Sequence, residues 1–165
     1  MRIREYKKED AEQILGWITD ERAFRLWTAD RYGTYPIVSD DINKNYEQSM
    51  EAGNFYPLTL VDENEKTIGH LILRNPGDDK TEIRLGFIIV DNTIRGKGYG
   101  KILINSAIKY AKEKLNANKF NLGVFANNDA AYNCYKKCGF VEVDIEKDAY
   151  TFENEKWDCI EMILS

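Results

Sequence analysis

Eight residues in the middle of the chain, IRGKGYGK from Ile94 to Lys101, lie between an apolar run ending at Val90 and a stretch of helical periodicity. The first N–H groups of a helix have no partner within it, and the positive end of the helix dipole favours anions. Glycines let an anion approach the backbone closely. The segment therefore predicts a site for a polyanion such as a pyrophosphate. Its basic residues and glycines are Arg95, Lys97, Lys101, Gly96, Gly98 and Gly100.

Two common phosphate-binding motifs do not fit this segment. A Walker A loop has a glycine where this chain has Arg95, and a hydroxyl residue for magnesium where it has Ile102. A dinucleotide-binding fingerprint has the spacing G-x-G-x-x-G and an acidic residue about 20 positions on. This chain has G-x-G-x-G, and residues 116–119 carry no acid.

The segment does contain R-x-x-G-x-G, formed by Arg95, Gly98 and Gly100 directly after an apolar strand. In this respect it resembles the acetyl-coenzyme A loop of the GNAT family of N-acetyltransferases. A second stretch, NNDAAYNCYKKCGF, is similar to that family's N-x-x-A-x-x-x-Y…GF signature. Its matching residues are Asn128, Ala131, Tyr135, Gly139 and Phe140.

The resemblance implies acetyl-CoA as co-substrate and a set of residues that bind it. Backbone groups of Ile88, Ile89 and Val90 would pair with the pantetheine arm if the strands before and after the helix splay apart, and one N–H would face the thioester oxygen. The remaining implied cofactor-binding residues are Arg95, Gly96, Lys97, Gly98, Tyr99, Gly100, Lys101, Asn128, Ala131 and Tyr135.

Acetyl transfer to an amine also needs an acid for the departing thiolate and a neutral nucleophile. The matching family position makes Tyr135 the general acid, since a phenol with a pKa of about 10 stays protonated near neutrality. Some family members place a glutamate on the strand before the loop, and here the candidate base is Glu82. Arg84 stands nearer the expected place, so a water chain or the amine's own titration is an alternative.

The elements around these motifs follow from periodicity. A strand (RIREY) and a helix (within KKEDAEQILGWITD) open the chain, followed by a helix over ERAFRLWT and one from a Ser39 N-cap to Gly53. Three β-rich runs, YPLTLVD, KTIGHLILR and TEIRLGFIIV, predict an antiparallel meander. A helix of about five turns begins near Gly98, and the strand KFNLGVF follows it. A helix from Asn128 to Gly139 and the strands FVEVDIEKDAY and EKWDCIEMIL close the chain.

These elements predict an α+β protein built around a mixed sheet. The resemblance implies the GNAT-like fold, with a mixed central β-sheet of six to seven strands flanked by helices. A parallel βαβ unit carries the cofactor loop. At 165 residues, the chain is expected to form a single domain over residues 1–165. The resemblance is closest over residues 82–141.

The composition of the chain limits the kinds of partner that it is expected to bind. A net charge of −5 argues against nucleic acid, and no apolar run is long enough for a membrane helix or signal peptide. We therefore expect a cytoplasmic protein, a monomer or homodimer. Its three cysteines (Cys134, Cys138 and Cys159) and single histidine (His70) offer no zinc-site spacing, so no metal is expected and the thiols are predicted to be reduced.

The acceptor is expected to be a primary amine. RIREYKKEDAEQILGWITD resembles the opening of the ribosomal-protein N-terminal acetyltransferase branch, and an acidic chain favours basic partners. A peptide N-terminus is thus the first expectation, with a polyamine, an aminoglycoside or another small amine as the alternative. The aromatic-rich segment FRLWTADRYGTYP is expected to help form the acceptor side. The remaining alternative is a module that binds acetyl-CoA without turnover.

Overall fold

The computed structural model describes residues 1–164, in which seven strands form one sheet flanked by five helices. The strands are β1 (Arg2–Glu5), β2 (Phe55–Val61), β3 (Thr67–Arg74), β4 (Glu82–Val90), β5 (Lys119–Phe125), β6 (Phe140–Phe152) and β7 (Glu155–Leu164). The helices are α1 (Asp10–Gly16), α2 (Glu21–Thr28), α3 (Ser39–Glu51), α4 (Tyr99–Lys114) and α5 (Asp129–Lys137). No helix in this range is long and apolar enough to cross a membrane.

The strand order in the sheet is β1-β2-β3-β4-β5-β7-β6. Strands β1 to β4 pair antiparallel, as do β5, β7 and β6, whereas β4 and β5 are parallel and are joined through α4. The predicted α+β class, the meander and the parallel βαβ unit are thereby confirmed. The parallel pair sits at the centre of the sheet, where two antiparallel halves meet.

Both faces of the sheet are covered because β3 and β4 are apolar on both sides. On one face, α4 presents a stripe of buried side chains to the strands, and α5 packs beside it. On the other face, α1, α2 and α3 cover Ile72, Phe87 and Ile89. The stripe on α4 consists of Leu103, Ile104, Ala107, Ile108 and Ala111.

The beginning of α3 differs from the sequence prediction. Ser39 is the first helical residue, and the N-cap is Val38. The reason is Asp41, whose carboxylate accepts a hydrogen bond from the Val38 N–H at 2.9 Å. This contact satisfies a backbone donor at the helix start without a hydroxyl at the capping position, so the serine cap was a wrong prediction.

Candidate active site

The two parallel strands separate part of the way along their length. Their pairing consists of Glu82 with Lys119, Ile83 with Phe120 and Arg84 with Asn121. Past this point β4 continues to Val90 and β5 to Phe125, with no β4–β5 pairing among residues 1–164. The facing backbone edges of the two strands are therefore available to a ligand, which is the splayed geometry expected from the resemblance.

A β-bulge in β4 lies at the opening. The register against β3 shifts between the pairs Ile72–Gly86 and His70–Ile89, so β4 has one extra residue there. Phe87, in this bulge, has a φ of 49°, a left-handed conformation that is unusual for an aromatic residue. A β-bulge leaves backbone N–H and C=O groups outside the hydrogen-bond ladder between strands. Bulges and strained backbone conformations of this kind are common at functional sites. The sequence GFIIV contains no signal for this bulge.

A cleft of about 220 Å³ occupies the space between the separated strands. One wall comes from the end of α2 and the residues after it, where the rings of Trp27 and Phe87 are tilted to each other with their centroids 5.6 Å apart. Its lining residues are Leu26, Trp27, Thr28, Ala29 and Arg31. The opposite wall comes from β5 and α5, and the floor comes from β4. The aromatic-rich segment predicted to lie near the acceptor thus does line the cleft.

Tyr135 reaches the cleft from α5. Its side chain is buried, with the ring edge-on to Phe140 at 6.4 Å between centroids. Among the described residues, none forms a hydrogen bond with its hydroxyl. Burial, with smaller contributions from Cys134 and Cys138, raises the pKa of Tyr135 above its ordinary value. The phenol is therefore protonated throughout the neutral range and can act as a proton donor.

Asn128 lines the same cleft and caps α5. Its side-chain oxygen accepts from the Ala131 N–H at 3.4 Å, a long bond that holds the first turn of the helix. The capping role expected of Asn128 is thus observed. Ala131, half-buried, packs against the core one turn before Tyr135.

The loop between β4 and α4 is anchored by Asp91, which the sequence prediction missed. Asp91 is buried, and its carboxylate accepts from the Thr93 N–H at 2.9 Å and from the Thr93 hydroxyl at 2.8 Å. Its own N–H donates to the Ile68 carbonyl. An Asp two residues before a threonine at a strand end is an Asx-turn signal that the sequence does contain. This turn directs the chain toward the glycine segment.

The start of α4 has the features of an anion site. Gly98 is the N-cap with a φ of 81°, and Gly96 has a φ of 82°. The first intrahelical bond runs from the Ile102 N–H to the Gly98 carbonyl, so the N–H groups of residues 99–101 precede it. The first turn of α4 contains no acidic residue, unlike those of α3 and α5. Acidic side chains often stabilise the positive N-terminal end of a helix dipole. Because α4 has none there, an external anion could take their place.

The structure places the other predicted cofactor residues around this loop. Arg95 and Lys97 are exposed, Tyr99 is half-buried against the core, and Lys101 is exposed on the first turn of α4. Gly100 has a different reason to be glycine: a Cβ there would lie 3.1 Å from the Cys134 sulphur on α5. Its small size thus allows α4 and α5 to approach each other.

Of the three β4 residues predicted to pair with the pantetheine arm, Ile88 lines the cleft. Ile89 points to the opposite face, where it packs with Ile14 of α1 and with Trp17, which directly follows that helix. Val90 ends the strand, half-buried against the α4 side. The backbone of all three lies past the last β4–β5 pair, so their predicted roles depend on the backbone.

Glu82 does not line the cleft. It lies at the closed end of the parallel pair, opposite Lys119, where its carboxylate accepts from the Asn121 side chain at 2.8 Å. The structure therefore brings Tyr135 to the cleft but does not bring Glu82 there. The physical reason is the position of Glu82 along β4: it lies in the part that still pairs with β5, and the two strands separate only after Arg84.

Three arginines that sequence reasoning did not assign line the cleft, namely Arg31, Arg74 and Arg84. Arg84 donates to both carboxylate oxygens of Glu161 on β7, at 2.7 and 3.0 Å, and to Asn121 at 2.9 Å. The Arg84 and Glu161 side chains meet above Gly123 of β5, where an added Cβ would lie 2.8 Å from an Arg84 nitrogen. For Arg74 and Arg84, a charged residue within an otherwise apolar strand was the available signal, whereas Arg31 lies in the loop after α2.

The remaining polar candidates have structural surroundings. His70 is fully buried, and its Nε2 lies 2.7 Å from the Tyr46 hydroxyl; burial lowers the pKa of His70 to about 4. Cys134, Cys138 and Cys159 are free thiols. Within residues 1–164 no three His, Cys, Asp or Glu side chains are grouped so that they could hold a metal ion.

Comparison with known proteins gives a consistent result. Residues 20–140 match the Acetyltransferase (GNAT) family. A spermidine N(1)-acetyltransferase of Vibrio cholerae is 27% identical over 142 residues, covering 85% of this chain and 78% of that protein. A [ribosomal protein bS18]-alanine N-acetyltransferase of Haemophilus influenzae is 35% identical over 103 residues, covering 62% and 66%.

A similar fold is found among solved structures. The crystal structure of spermidine N-acetyltransferase from Vibrio cholerae in complex with CoA and spermine superimposes with a TM-score of 0.82 at 22% sequence identity. The match covers 98% of this chain and 92% of that one. At this identity the likeness establishes the shared fold.

Proposed function

The chain belongs to the GNAT family of acetyltransferases and is an acetyl-CoA-dependent N-acetyltransferase; we propose that it acetylates the primary amine of a small molecule in the cleft between β4 and β5. The observation that carries this proposal is the cleft itself. It opens where the two strands separate, and Tyr135 lines it with a hydroxyl that no described residue engages.

Acetyl-CoA supplies the activated acetyl group as a thioester. The N–H groups of residues 98–101, together with Arg95 and Lys97, would hold its pyrophosphate at the N-terminus of α4. The free edge of β4 between Leu85 and Val90 would hold the pantetheine arm by strand-like hydrogen bonds. These contacts would direct the thioester toward the bulge at Phe87.

The bulge supports polarisation of the thioester carbonyl. A backbone N–H turned out of the ladder at residues 87–89 would face the carbonyl oxygen and stabilise the negative charge that develops there. Tyr135 would then donate its proton to the departing sulphur. Burial keeps this phenol neutral, so the donor is present over the whole working pH range.

The position of Glu82 outside the cleft argues against its predicted role as the general base. We infer that solvent, or the amine's own titration, supplies the neutral nucleophile. A primary amine of lysine type has an ordinary pKa of about 10.4, and an α-amine about 7.7 to 8.0. The rate at subsaturating acceptor should therefore rise with pH toward the pKa of the amine used.

Two more specific acceptors have independent support. The Vibrio cholerae relative acts on spermidine and favours a polyamine. The Haemophilus influenzae relative acts on the alanine of a ribosomal protein and, with the opening segment of this chain, favours a peptide N-terminus. The match to the spermidine enzyme covers more of both chains, although at a lower identity.

Thiol release from acetyl-CoA in the presence of single amines tests the proposal. The panel contains neutral alkylamines, amino acids, phosphorylated amines, spermidine and peptides with different first residues, and mass spectrometry identifies the acetylated product. Acetylation of at least one small amine is expected. Acetyl-CoA binding without transfer to any amine would instead favour a non-catalytic binding module, and transfer to peptides alone would favour the N-terminal reaction.

A further inference from the structure

All the charged side chains that line the cleft are positive. Arg31, Arg74 and Arg84 contribute to it, and no carboxylate of residues 1–164 does. We propose that Arg31 and Arg74 bind an anionic group of the acceptor, so that the substrate carries a carboxylate or phosphate in addition to its amine. This inference rests on the proposed function and narrows its substrate class.

The geometry separates these two arginines from Arg84. Arg74 and Arg84 are direct partners in the β3–β4 register, so their side chains start from adjacent positions on the face covered by α2. Glu161 compensates Arg84 with a bidentate ion pair. Neither Arg31 nor Arg74 forms an ion pair with a described residue. The cleft thus contains two guanidinium groups that no carboxylate pairs directly: Arg31 is exposed at its rim, and Arg74 meets only the charge of Glu161, which is already paired with Arg84.

Such an arrangement has a cost that an anionic ligand would remove. Arg74 is half-buried, and burial together with the charges of Arg84 and Arg31 lowers its pKa. Cations are seldom kept in a cleft beside like charges unless a ligand of opposite sign binds them. A planar guanidinium also matches the two oxygens of a carboxylate or phosphate in a bidentate geometry.

The co-substrate has its own anion site elsewhere. The glycine segment at the start of α4 does not line the cleft, whereas Arg31 and Arg74 lie beside Trp27 and Phe87 on the face covered by α2. Tyr135 belongs to the core on the α4 side and reaches the cleft from there. The arginines are therefore placed on the acceptor side of the reacting centre.

A polyamine is the opposite of what these side chains would attract. A second or third ammonium group of the acceptor would meet uncompensated guanidinium groups, and like charges brought together reduce affinity for the wrong partner. The arginines therefore distinguish this cleft from one suited to a polycation, although the fold is shared with a spermidine enzyme.

The test compares matched amines with and without the anion. The values of kcat/KM are measured for phosphoethanolamine against ethanolamine, and for γ-aminobutyrate against butylamine, with spermidine as the polycation. In the parent protein, at least one anionic amine should exceed its neutral partner by about 10-fold or more, as expected for a charge-assisted hydrogen bond. Whichever pair shows the preference identifies phosphate or carboxylate.

Variants assign the preference to the residues. Arg74→Gln and Arg31→Gln should each lower the ratio of anionic to neutral kcat/KM by about 10-fold, and Arg74→Lys should restore part of it. Arg2→Gln is the matched control, because it removes one positive charge on the far edge of the sheet, where Arg2 pairs with Glu65. This control should keep the parent ratio.

Several results would overturn the inference. The inference fails if neutral amines or spermidine have the same kcat/KM as anionic amines and the ratio of anionic to neutral kcat/KM is unchanged in Arg74→Gln. It also fails if the variants lose enough acetyl-CoA affinity to explain their lower activity. If no amine releases thiol, the proposed function fails, and calorimetry with CoA present decides the inference separately. Tighter binding of an anionic amine than of its neutral partner, lost in Arg74→Gln, supports it; equal binding contradicts it.

Discussion

Replacing Tyr135 with phenylalanine removes one hydroxyl from the cleft and keeps the ring that packs there. The side chain is only 6% exposed, and its edge contact with Phe140 involves the ring. No described residue depends on the hydroxyl for a hydrogen bond. The free energy of unfolding should therefore change by less than about 1 kcal/mol, since no partner is left unsatisfied.

Catalysis should change far more than stability. A positioned general acid contributes about 10²- to 10⁴-fold, so kcat should fall by at least 100-fold, equivalent to about 2.7 kcal/mol in the activation barrier. The affinity for acetyl-CoA should be nearly unchanged, because the proposed pyrophosphate site lies at the start of α4. Since burial raises the pKa of Tyr135, the parent's advantage should persist across the neutral and mildly alkaline range.

The assay is steady-state thiol release with the best acceptor, combined with calorimetry for acetyl-CoA and urea unfolding for stability. Tyr132→Phe is the matched control: the same change on the same helix, where the Tyr132 hydroxyl contacts Glu142 outside the cleft. The control should keep parental turnover. If Tyr135→Phe turns over like the parent, the hydroxyl is not the proton donor and the reasoning is refuted.

Three further predictions concern the start of α4, the ion pair of Asp10 and the buried His70. Gly98→Asp should weaken acetyl-CoA binding about 10-fold more than Gly98→Asn, since the two side chains have nearly the same size and shape but only aspartate adds negative charge at this φ of 81°; calorimetry showing equal losses would contradict this. Asp10→Ala should lower the free energy of unfolding in urea by about 3 kcal/mol, because it removes a buried carboxylate that pairs with the half-buried Arg4 in a bidentate geometry; a loss under about 1 kcal/mol would contradict that. The ring of His70, the chain's only histidine, should stay neutral in the folded protein down to about pH 5, as NMR would show. His70 should contribute about 3 kcal/mol to the fall in unfolding free energy as pH drops from about 6.5 to about 4, because the unfolded chain takes up the proton first. Protonation near pH 6.5 in the folded protein would contradict its burial.

Local signals made much of the fold predictable. The stripe on α4, the cap at Asn128 and the β-rich runs of the meander are all consequences of short-range periodicity and turn chemistry. Their order along the chain then limits the topology, because a strand, helix and strand form a right-handed parallel unit. The candidate anion site could be predicted in the same way, since the free N–H groups and the dipole at a helix start favour anions.

The features that the sequence did not predict depend on tertiary pairing. The bulge at Phe87 exists only because β4 pairs with β3 in a shifted register, and no residue type announces it. The position of Glu82 relative to the cleft depends on where the parallel strands diverge, which is again a property of the sheet. Arg74 and Arg84 become neighbours through the same register, 10 positions apart in sequence.

A crystal structure with acetyl-CoA and the preferred acceptor tests the site most directly. We expect the pyrophosphate against the N–H groups of residues 98–101, the pantetheine arm along the free edge of β4, and the thioester sulphur within hydrogen-bond distance of the Tyr135 hydroxyl. Pyrophosphate bound away from the start of α4, or a thioester that does not enter the gap between β4 and β5, would contradict the account.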